Sequence, residues 1–411
     1  MTGASPRPAN RDATSYRHDE IVVATQHLPL VLNELGSGVA DRLDENLRLG
    51  LSRVRLTDLA AAVGRFDAVL SDRDKVAAAL GEVPSDQTDV EKVITGLRVS
   101  AAAAWDGWMP TIGKNRVVLG GEGTPYTVLK ANDVPVPAGR PEPVATDPAG
   151  GRNVTVGLLD TPVDRSQSLD GQLDVRGSTL LDEADTYSYR EGHATFLAGL
   201  VHSYAPKARI RVRGVLDGRD ATASAWDVAV ELLALVDSGV DVVVMSLGCF
   251  TDDSRPPLVL QTAVSMVRDT VLLIAAGGNH GENNGDDDVS AIAPMWPAAL
   301  DGVVAVGSRN ASSSTPSAFT PCTPWMDVLA PGEDLTSTFL RGRVSLGDAA
   351  AQEFDGFARW SGTSMSAAIA GAHAATLFRF GDAPRDLMAQ LIAGSPGDVV
   401  TAHVLRGAQD G

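Results

Sequence analysis

The sequence predicts an α/β protein: a doubly wound, mostly parallel sheet with helices on both faces, preceded by a smaller α+β or mainly helical N-terminal domain. Three observations predict it. From position 152 onward, apolar runs of strand length alternate with helix-length amphipathic segments, the rhythm of a parallel sheet covered on both sides. Those runs are apolar at nearly every position, as expected of strands buried on both faces. Before position 152 the texture differs, and Val134-Pro-Val-Pro-Ala-Gly-Arg-Pro-Glu-Pro143 with Asp147-Pro-Ala-Gly-Gly151 marks a Pro/Gly-rich linker between the two regions.

In order along the chain, residues 1–18 are polar and read as a disordered tail. Glu20-Ile-Val-Val-Ala24 is a short strand, and apolar residues at mixed spacing occupy His27–Leu35. Leu47–Leu56 holds a second strand candidate, and Thr57–Val63 and Asp72–Leu80 are helix candidates. Asp89 opens a stronger helix, with Val90, Val93, Ile94, Leu97 and Val99 on or near one face. Trp105–Arg116 mixes aromatic and basic residues and reads as packing that docks this region onto the next, with a binding surface as the alternative. Tyr126–Leu129 is strand-like. These residues make a domain over 19–130, a linker over 131–151, a main domain over 152–395 and a tail over 396–411.

In the main domain, Val154–Leu159 is a buried strand that ends in Asp160. Gly192–Ser203 is helix-compatible, Ala208–Val215 strand-like, and Ala223–Ser238 an amphipathic helix closed by Gly239. Val240–Leu247 is a strand, Pro257–Arg268 a helix, Val271–Ala276 a strand and Val303–Val306 another. In such sheets functional residues collect beyond the carboxyl ends of the strands. Asp160, Ser246-Leu-Gly248 and Gly277-Gly-Asn279 fall there. Trp360-Ser-Gly-Thr-Ser-Met-Ser-Ala-Ala-Ile-Ala-Gly-Ala-His-Ala-Ala375 reads as a turn entering a buried helix of small residues.

Composition bounds the job. The chain has 411 residues and 44% hydrophobic residues, enough for a sizeable core. A formal charge of −18 argues against nucleic acid or an anionic membrane as the main partner. Two cysteines, Cys249 and Cys322, are able to pair but make no disulfide framework. The stretch Met1–His18 lacks an apolar signal region, and no later segment is long and apolar enough to span a bilayer, so a cytoplasmic protein is expected.

Four residues carry the candidate chemistry. Ser364 sits at the start of the small-residue helix, where unpaired N–H groups and a positive dipole receive a developing oxyanion. An isolated Gly-Thr-Ser is more often an ordinary helix cap. Asp160 suits an orienting carboxylate, or simply caps its own turn as Asp164 would. His193, in Arg190-Glu-Gly-His-Ala-Thr-Phe-Leu-Ala-Gly-Leu200, is the best-placed base, because His373 lies over two helical turns beyond Ser364. Asn279 suits a turn, or an amide donor to an oxyanion.

Together these motifs resemble the subtilisin-like serine proteases (subtilases, peptidase S8). Val156-Gly-Leu-Leu-Asp-Thr-Pro162 resembles the family's Asp motif, Gly192-His-Ala-Thr-Phe-Leu-Ala-Gly199 its His motif, Ala275-Ala-Gly-Gly-Asn279 its oxyanion motif and Gly362-Thr-Ser-Met-Ser-Ala367 its Ser motif. The resemblance covers about 152–395 and implies a subtilisin-like fold and a serine endopeptidase acting on peptide or protein. In it Ser364 is the nucleophile, His193 the base, Asp160 its orienting partner, and Asn279 an oxyanion donor. Ser246, Leu247, Gly248, Ala275, Ala276 and Gly277 resemble the backbone segments that pair with an extended substrate and wall its pocket. The chain departs from the family at Phe196, where many members have a second histidine, and at Ala368, where a proline is frequent. No cofactor is required; the family often carries calcium, but no acidic cluster is assignable to it, and Asp286-Asp-Asp288 reads as a solvated loop. The N-terminal region takes the place of a prodomain, to be cleaved off or kept as a regulatory domain. Two other readings are a catalytically silent scaffold that binds peptides, and a dedicated maturation protease.

Overall fold

The computed structural model describes residues 16–120, 134–165, 169, 171–281, 290–310, 315–347, 349–379, 381–393 and 400–401. The N-terminal unit comprises β1 (Tyr16–Ala24), α1 (Leu28–Leu35), β2 (Ala40–Asn46), β3 (Leu51–Leu56), α2 (Leu59–Gly64), α3 (Asp67–Ser71), α4 (Arg73–Leu80), α5 (Asp89–Ala104) and β4 (Ile112–Gly120). Its strands pair antiparallel in the order β4-β1-β3-β2. Alternate residues Ile21 and Val23 of β1 pack with Val31, Leu35, Val54, Phe66, Val93 and Leu97 into one buried cluster. A capping box at Thr88 and Glu91 starts α5. The helix then buries Val90, Val93, Ile94, Leu97 and Val99, the residues its pattern pointed to.

Three expectations change here. Tyr16, Arg17 and His18 belong to β1 and not to a tail, because the Tyr16 ring is buried and its hydroxyl donates to Thr88 Oγ1 at 2.6 Å. Strand β2 was not expected: its sequence Ala-Asp-Arg-Leu-Asp-Glu-Asn has no apolar alternation, and it is an edge strand held by pairing with β3. The stretch Trp105–Arg116 runs from the end of α5 into β4. Residues 1–15 and the strand-like Tyr126–Leu129 lie outside the described residues.

The remaining elements are β5 (Val136–Pro137), β6 (Thr155–Asp160), β7 (Tyr187–Ser188), α6 (His193–Tyr204), β8 (Arg209–Gly214), β9 (Thr222–Ser224), α7 (Ala225–Asp237), β10 (Val242–Met245), β11 (Leu247–Gly248), α8 (Leu258–Val267), β12 (Leu272–Ala276), β13 (Val303–Arg309), β14 (Val328–Pro331), β15 (Leu335–Leu346), β16 (Ala349–Trp360), α9 (Thr363–Leu377), α10 (Pro384–Ile392) and β17 (Val400–Thr401). Seven strands form the central sheet in the order β17-β14-β13-β12-β10-β6-β8. All of its pairs are parallel except β14 with β17. Val242, Val244 and Ile274 face one core, shared with α6 and α9. Val243, Met245 and Leu273 face the other, shared with α7 and α8. This is why the strand sequences are apolar at consecutive positions. The doubly wound α/β class holds.

Segments read as linker and tail contribute to sheets. β5 pairs with β16 inside the Pro/Gly-rich stretch, and β17 adds an antiparallel edge to β14. The long hairpin β15–β16 lies against α6, where Ser337 Oγ donates to the Phe196 carbonyl at 2.7 Å. The two units share a sheet as well. β4 pairs antiparallel with β9 through Val117–Leu119 and with β11 through Leu119–Gly120.

Candidate active site

Asp160 ends β6 and is 1% exposed. Its Oδ1 accepts hydrogen bonds from the Thr161 backbone N–H at 2.7 Å and from Thr161 Oγ1 at 3.2 Å. Both carboxylate oxygens lie within reach of His193 Nδ1, at 2.8 and 2.9 Å. An imidazole whose Nδ1–H is held by a buried carboxylate turns its Nε2 lone pair outward. His193 itself begins α6, where the Ala194 N–H donates to Thr161 Oγ1 at 3.2 Å and ties the helix start to the end of β6. Trp360 meets the imidazole edge to face at 5.6 Å, and Phe196 and Phe339 meet the same indole. The aromatic group fixes the ring's tilt by packing.

Ser364 lies in the first turn of α9 and is fully buried. Small residues let this helix sit close to the sheet: a Cβ on Gly371 would lie 2.4 Å from Val244 Cγ2. Ser364 Oγ and His193 Nε2 are both buried, and neither has a hydrogen-bond partner among the described residues. Buried polar atoms left unpaired are uncommon and call for a reason. Here they belong to the first turns of two helices, α6 and α9, that pack on each other.

Asn279 follows β12. Its Oδ1 accepts from the Thr363 backbone N–H at 3.0 Å and from Thr363 Oγ1 at 3.1 Å, while Thr363 Oγ1 accepts from the Gly278 N–H at 3.1 Å. Thr363 was not singled out in the sequence. Its signal was available, as the residue before Ser364, but a Thr at a helix start is ordinarily read as a cap.

The six residues expected to contact substrate separate into two groups. Ser246 Oγ donates to the Ser364 carbonyl at 3.3 Å, and Leu247 and Gly248 are β11, paired with β4. Ala275 instead pairs on both sides, with β10 and β13, whereas Ala276 pairs with β13 alone. The Gly277 N–H donates to the Val306 carbonyl at 2.8 Å. Ala275 is thus closed to a further strand, while Ala276 and Gly277 are held on the β13 side. The pairing segment on the other side of β4 is β9, Thr222–Ser224, which sequence reading missed because three residues carry no periodic signal.

Cys249 and Cys322 are both free. Burial pushes the Cys249 thiol up to about 12, against the opposing pull of Arg116, so this cysteine packs and does not react. Among the described residues no cluster of three or more His, Cys, Asp or Glu side chains is placed to hold a metal ion, and Asp286–Asp288 lies outside them. No helix among the described residues is long and apolar enough to cross a membrane.

A doubly wound parallel sheet with an Asp–His pair, a helix-start serine and an anchored asparagine at its strand ends defines an α/β protein with a serine-centred site. The chain belongs to the subtilase family: residues 151–393 match the profile of the Subtilase family, Peptidase_S8. It is 30% identical over 202 residues to the major intracellular serine protease of Bacillus subtilis, covering 46% of this chain and 60% of that one. It is 28% identical over 229 residues to a thermophilic serine proteinase of Bacillus sp. strain AK1, covering 53% of this chain and 50% of that one. The chain thus spans between half and two thirds of these relatives' own lengths. Fervidolysin from Fervidobacterium pennivorans, described as a keratinolytic enzyme related to subtilisin, shares the fold at a TM-score of 0.56 and 18% identity. That likeness covers 91% of this chain and 57% of the other.

Proposed function

We propose that the chain is a serine endopeptidase acting on peptide or protein chains, with Ser364 as nucleophile, His193 as general base and then acid, and Asp160 as the group that orients and stabilises the imidazolium. Asn279 and the Ser364 backbone N–H would receive the oxyanion of the tetrahedral intermediate. The observation that carries this reading is the buried His193 ring, anchored by Asp160 and presenting an unshared Nε2 on the helix that packs against the one bearing Ser364. The names of the curated relatives, serine proteases of Bacillus, support the same reaction class. The scheme needs no cofactor. A cytoplasmic setting is part of the same proposal, in keeping with a relative named as intracellular.

The N-terminal unit acts in this scheme as an occluding domain. β4 lies as a central strand between β9 and β11, the position an extended peptide takes when it is recognised by strand addition. The full-length chain is therefore held closed by its own residues until that strand is cut away or displaced. One observation favours the silent-scaffold reading instead: the hydrogen bond between Ser364 and His193 is not formed. Catalytic hydrogen bonds commonly close only on a bound substrate.

A fluorophosphonate probe tests the reaction. Labelling of wild-type protein that disappears in Ser364→Ala is the expected result, before or after limited proteolysis. No Ser364-dependent labelling under either condition sinks the protease reading in favour of the scaffold. Gel analysis of the two proteins tests control: loss of an N-terminal fragment only in the wild type shows self-processing, and an intact, active wild type shows a permanent domain.

A further inference from the structure

Upstream of its pairing with β11, β4 makes a second contact with the peptidase region through charge. Lys114 and Arg116, two residues apart and so on one side of the strand, both reach Asp252. Lys114 Nζ lies 2.9 Å from its Oδ2, and Arg116 Nη2 bonds Oδ1. Asp252 follows β11 after a short stretch in which the Cys249 backbone pairs with that of Trp296. It thus lies outside the strand-pairing segment, on the side from which β4 enters. We propose that Asp252 is a specificity-determining residue of the peptidase, selecting extended peptides that carry lysine or arginine at the positions Lys114 and Arg116 hold in β4. The inference rests on the reading that β4 stands where substrate binds.

The geometry makes Asp252 a selective group. It is 14% exposed at the side chain, and Arg116 is 4% exposed. A neutral residue in Arg116's place would leave the carboxylate with Lys114 alone, and an acidic one would set two carboxylates together, each a loss against the matched set. Burial by itself would raise the Asp252 carboxyl, but Arg116 and Lys114 overcome it and hold the group below the usual carboxylate range. Asp252 also lines a cavity of about 700 Å³ between α5 and the residues following β11, shared with Arg98, Asp253 and Arg255.

Downstream, the same strand states a second requirement. Val118 is fully buried in the core that holds Leu216 and Leu247. A Cβ on Gly120 would lie 3.1 Å from both Ala221 Cβ and Leu216 Cδ1. The peptide read from β4 is thus basic at two alternate positions, aliphatic at the next and small at the last.

Competition measures the selection. The protein, active as purified or after limited proteolysis, hydrolyses a neutral fluorogenic peptide in the presence of a synthetic peptide with the sequence of residues 114–124. Two analogues carry glutamine or glutamate at both basic positions. Inhibition should weaken about ten-fold with glutamine, and further with glutamate, a loss on the scale of one charged hydrogen bond. In Asp252→Asn the parent and glutamine peptides should inhibit equally, and in Asp252→Lys the glutamate peptide should become the best of the three. Far-UV circular dichroism and a melting temperature matching the wild type show that each variant is folded. Equal inhibition by all three peptides in the wild type, or discrimination that persists in Asp252→Asn, overturns the proposal while leaving the protease reading intact. Absence of any Ser364-dependent hydrolysis has a different signature and overturns both.

Discussion

At the scale of the residue, the site depends on side chains that hold others in place. Thr363 donates to Asn279 Oδ1 through both its backbone N–H and its hydroxyl, and so fixes the orientation of the amide group. Thr363→Val keeps the volume and the backbone bond but removes the hydroxyl. In steady-state kinetics it should lower kcat about ten-fold with little change in KM, because the affected interaction is made to the transition state. Asn279→Ala should cost on the order of 10²-fold by the same measurement. His280, next in sequence, has a different job. Burial lowers its imidazole to about 4, partly opposed by the hydrogen bond to the Ala293 carbonyl, and Phe250 packs on its ring at 4.8 Å. A neutral buried histidine stabilises the fold fully above its unfolded value of 6.5, and that contribution is lost as pH falls toward about 4. Urea unfolding should show a loss of up to roughly 3 kcal/mol across that window, and His280→Gln should flatten the pH dependence. The residues proposed to do the chemistry stood out because each sits at a strand or helix end within a recognisable local sequence. Thr363 and Trp360 were not, since a positioning role is visible only once the partner is seen.

At the scale of the element, legibility followed periodicity. β6, β8, β10, β12 and β13 and the helices α5 to α9 announced themselves by apolar runs, amphipathic spacing or, in α9, a run of small residues, while β14 did not. β2 did not, because an edge strand exposed along most of its length has nothing apolar to alternate. β9 and β11 did not either, since two or three residues are too few to show a period. β4 was hidden for another reason: its side chains alternate between partners in two units, so basic, polar and aliphatic residues follow one another. Asn115 is fully buried, donating to Glu20 at 2.7 Å and accepting from the Trp226 backbone N–H at 3.1 Å. The helix α9 shows how element packing reaches the site. Gly371 lets α9 lie against Val244 of β10, the strand that leads into Ser246. Gly371→Val should overpack this contact and destabilise the protein by about 1–3 kcal/mol in urea titration. It should also slow Ser364 labelling, because the same helix carries the serine.

At the scale of the whole molecule, the N-terminal unit keeps one core of its own but lays Val22, Ala24, Leu49, Leu51 and Val118 into the core of α7 and α8, and one strand and a set of ion pairs join the units as well. Lys114 also binds Glu91 of the N-terminal unit at 2.6 Å, so its ammonium bridges that carboxylate and Asp252. Trp226 Nε1 donates to Asp44 at 3.1 Å, and Arg53 lies 3.6 Å from Asp227, so further contacts cross the same seam. Breaking a largely buried pair strands the surviving charge and costs about 3–5 kcal/mol. Arg116→Glu places two carboxylates together and should raise the rate of fluorophosphonate labelling of Ser364 in the full-length chain at least about ten-fold. Asp252→Arg, facing Arg116 and Lys114, should do the same. The double variant restores an opposite-charge pair with its polarity exchanged and should return the rate toward wild type. Such recovery separates a specific pair from general damage to the seam. The pH dependence gives a further check. Asp252's carboxyl is held below its ordinary value of 3.8 in the docked state, so its contribution is fully present above that value and is lost as pH falls below it. The ratio of Asp252→Asn to wild-type labelling should therefore stay constant between about pH 5 and 8, even though both rates follow the base that activates Ser364. A ratio that drifts across this range would place the control of docking in a group that titrates near neutrality, and not in Asp252.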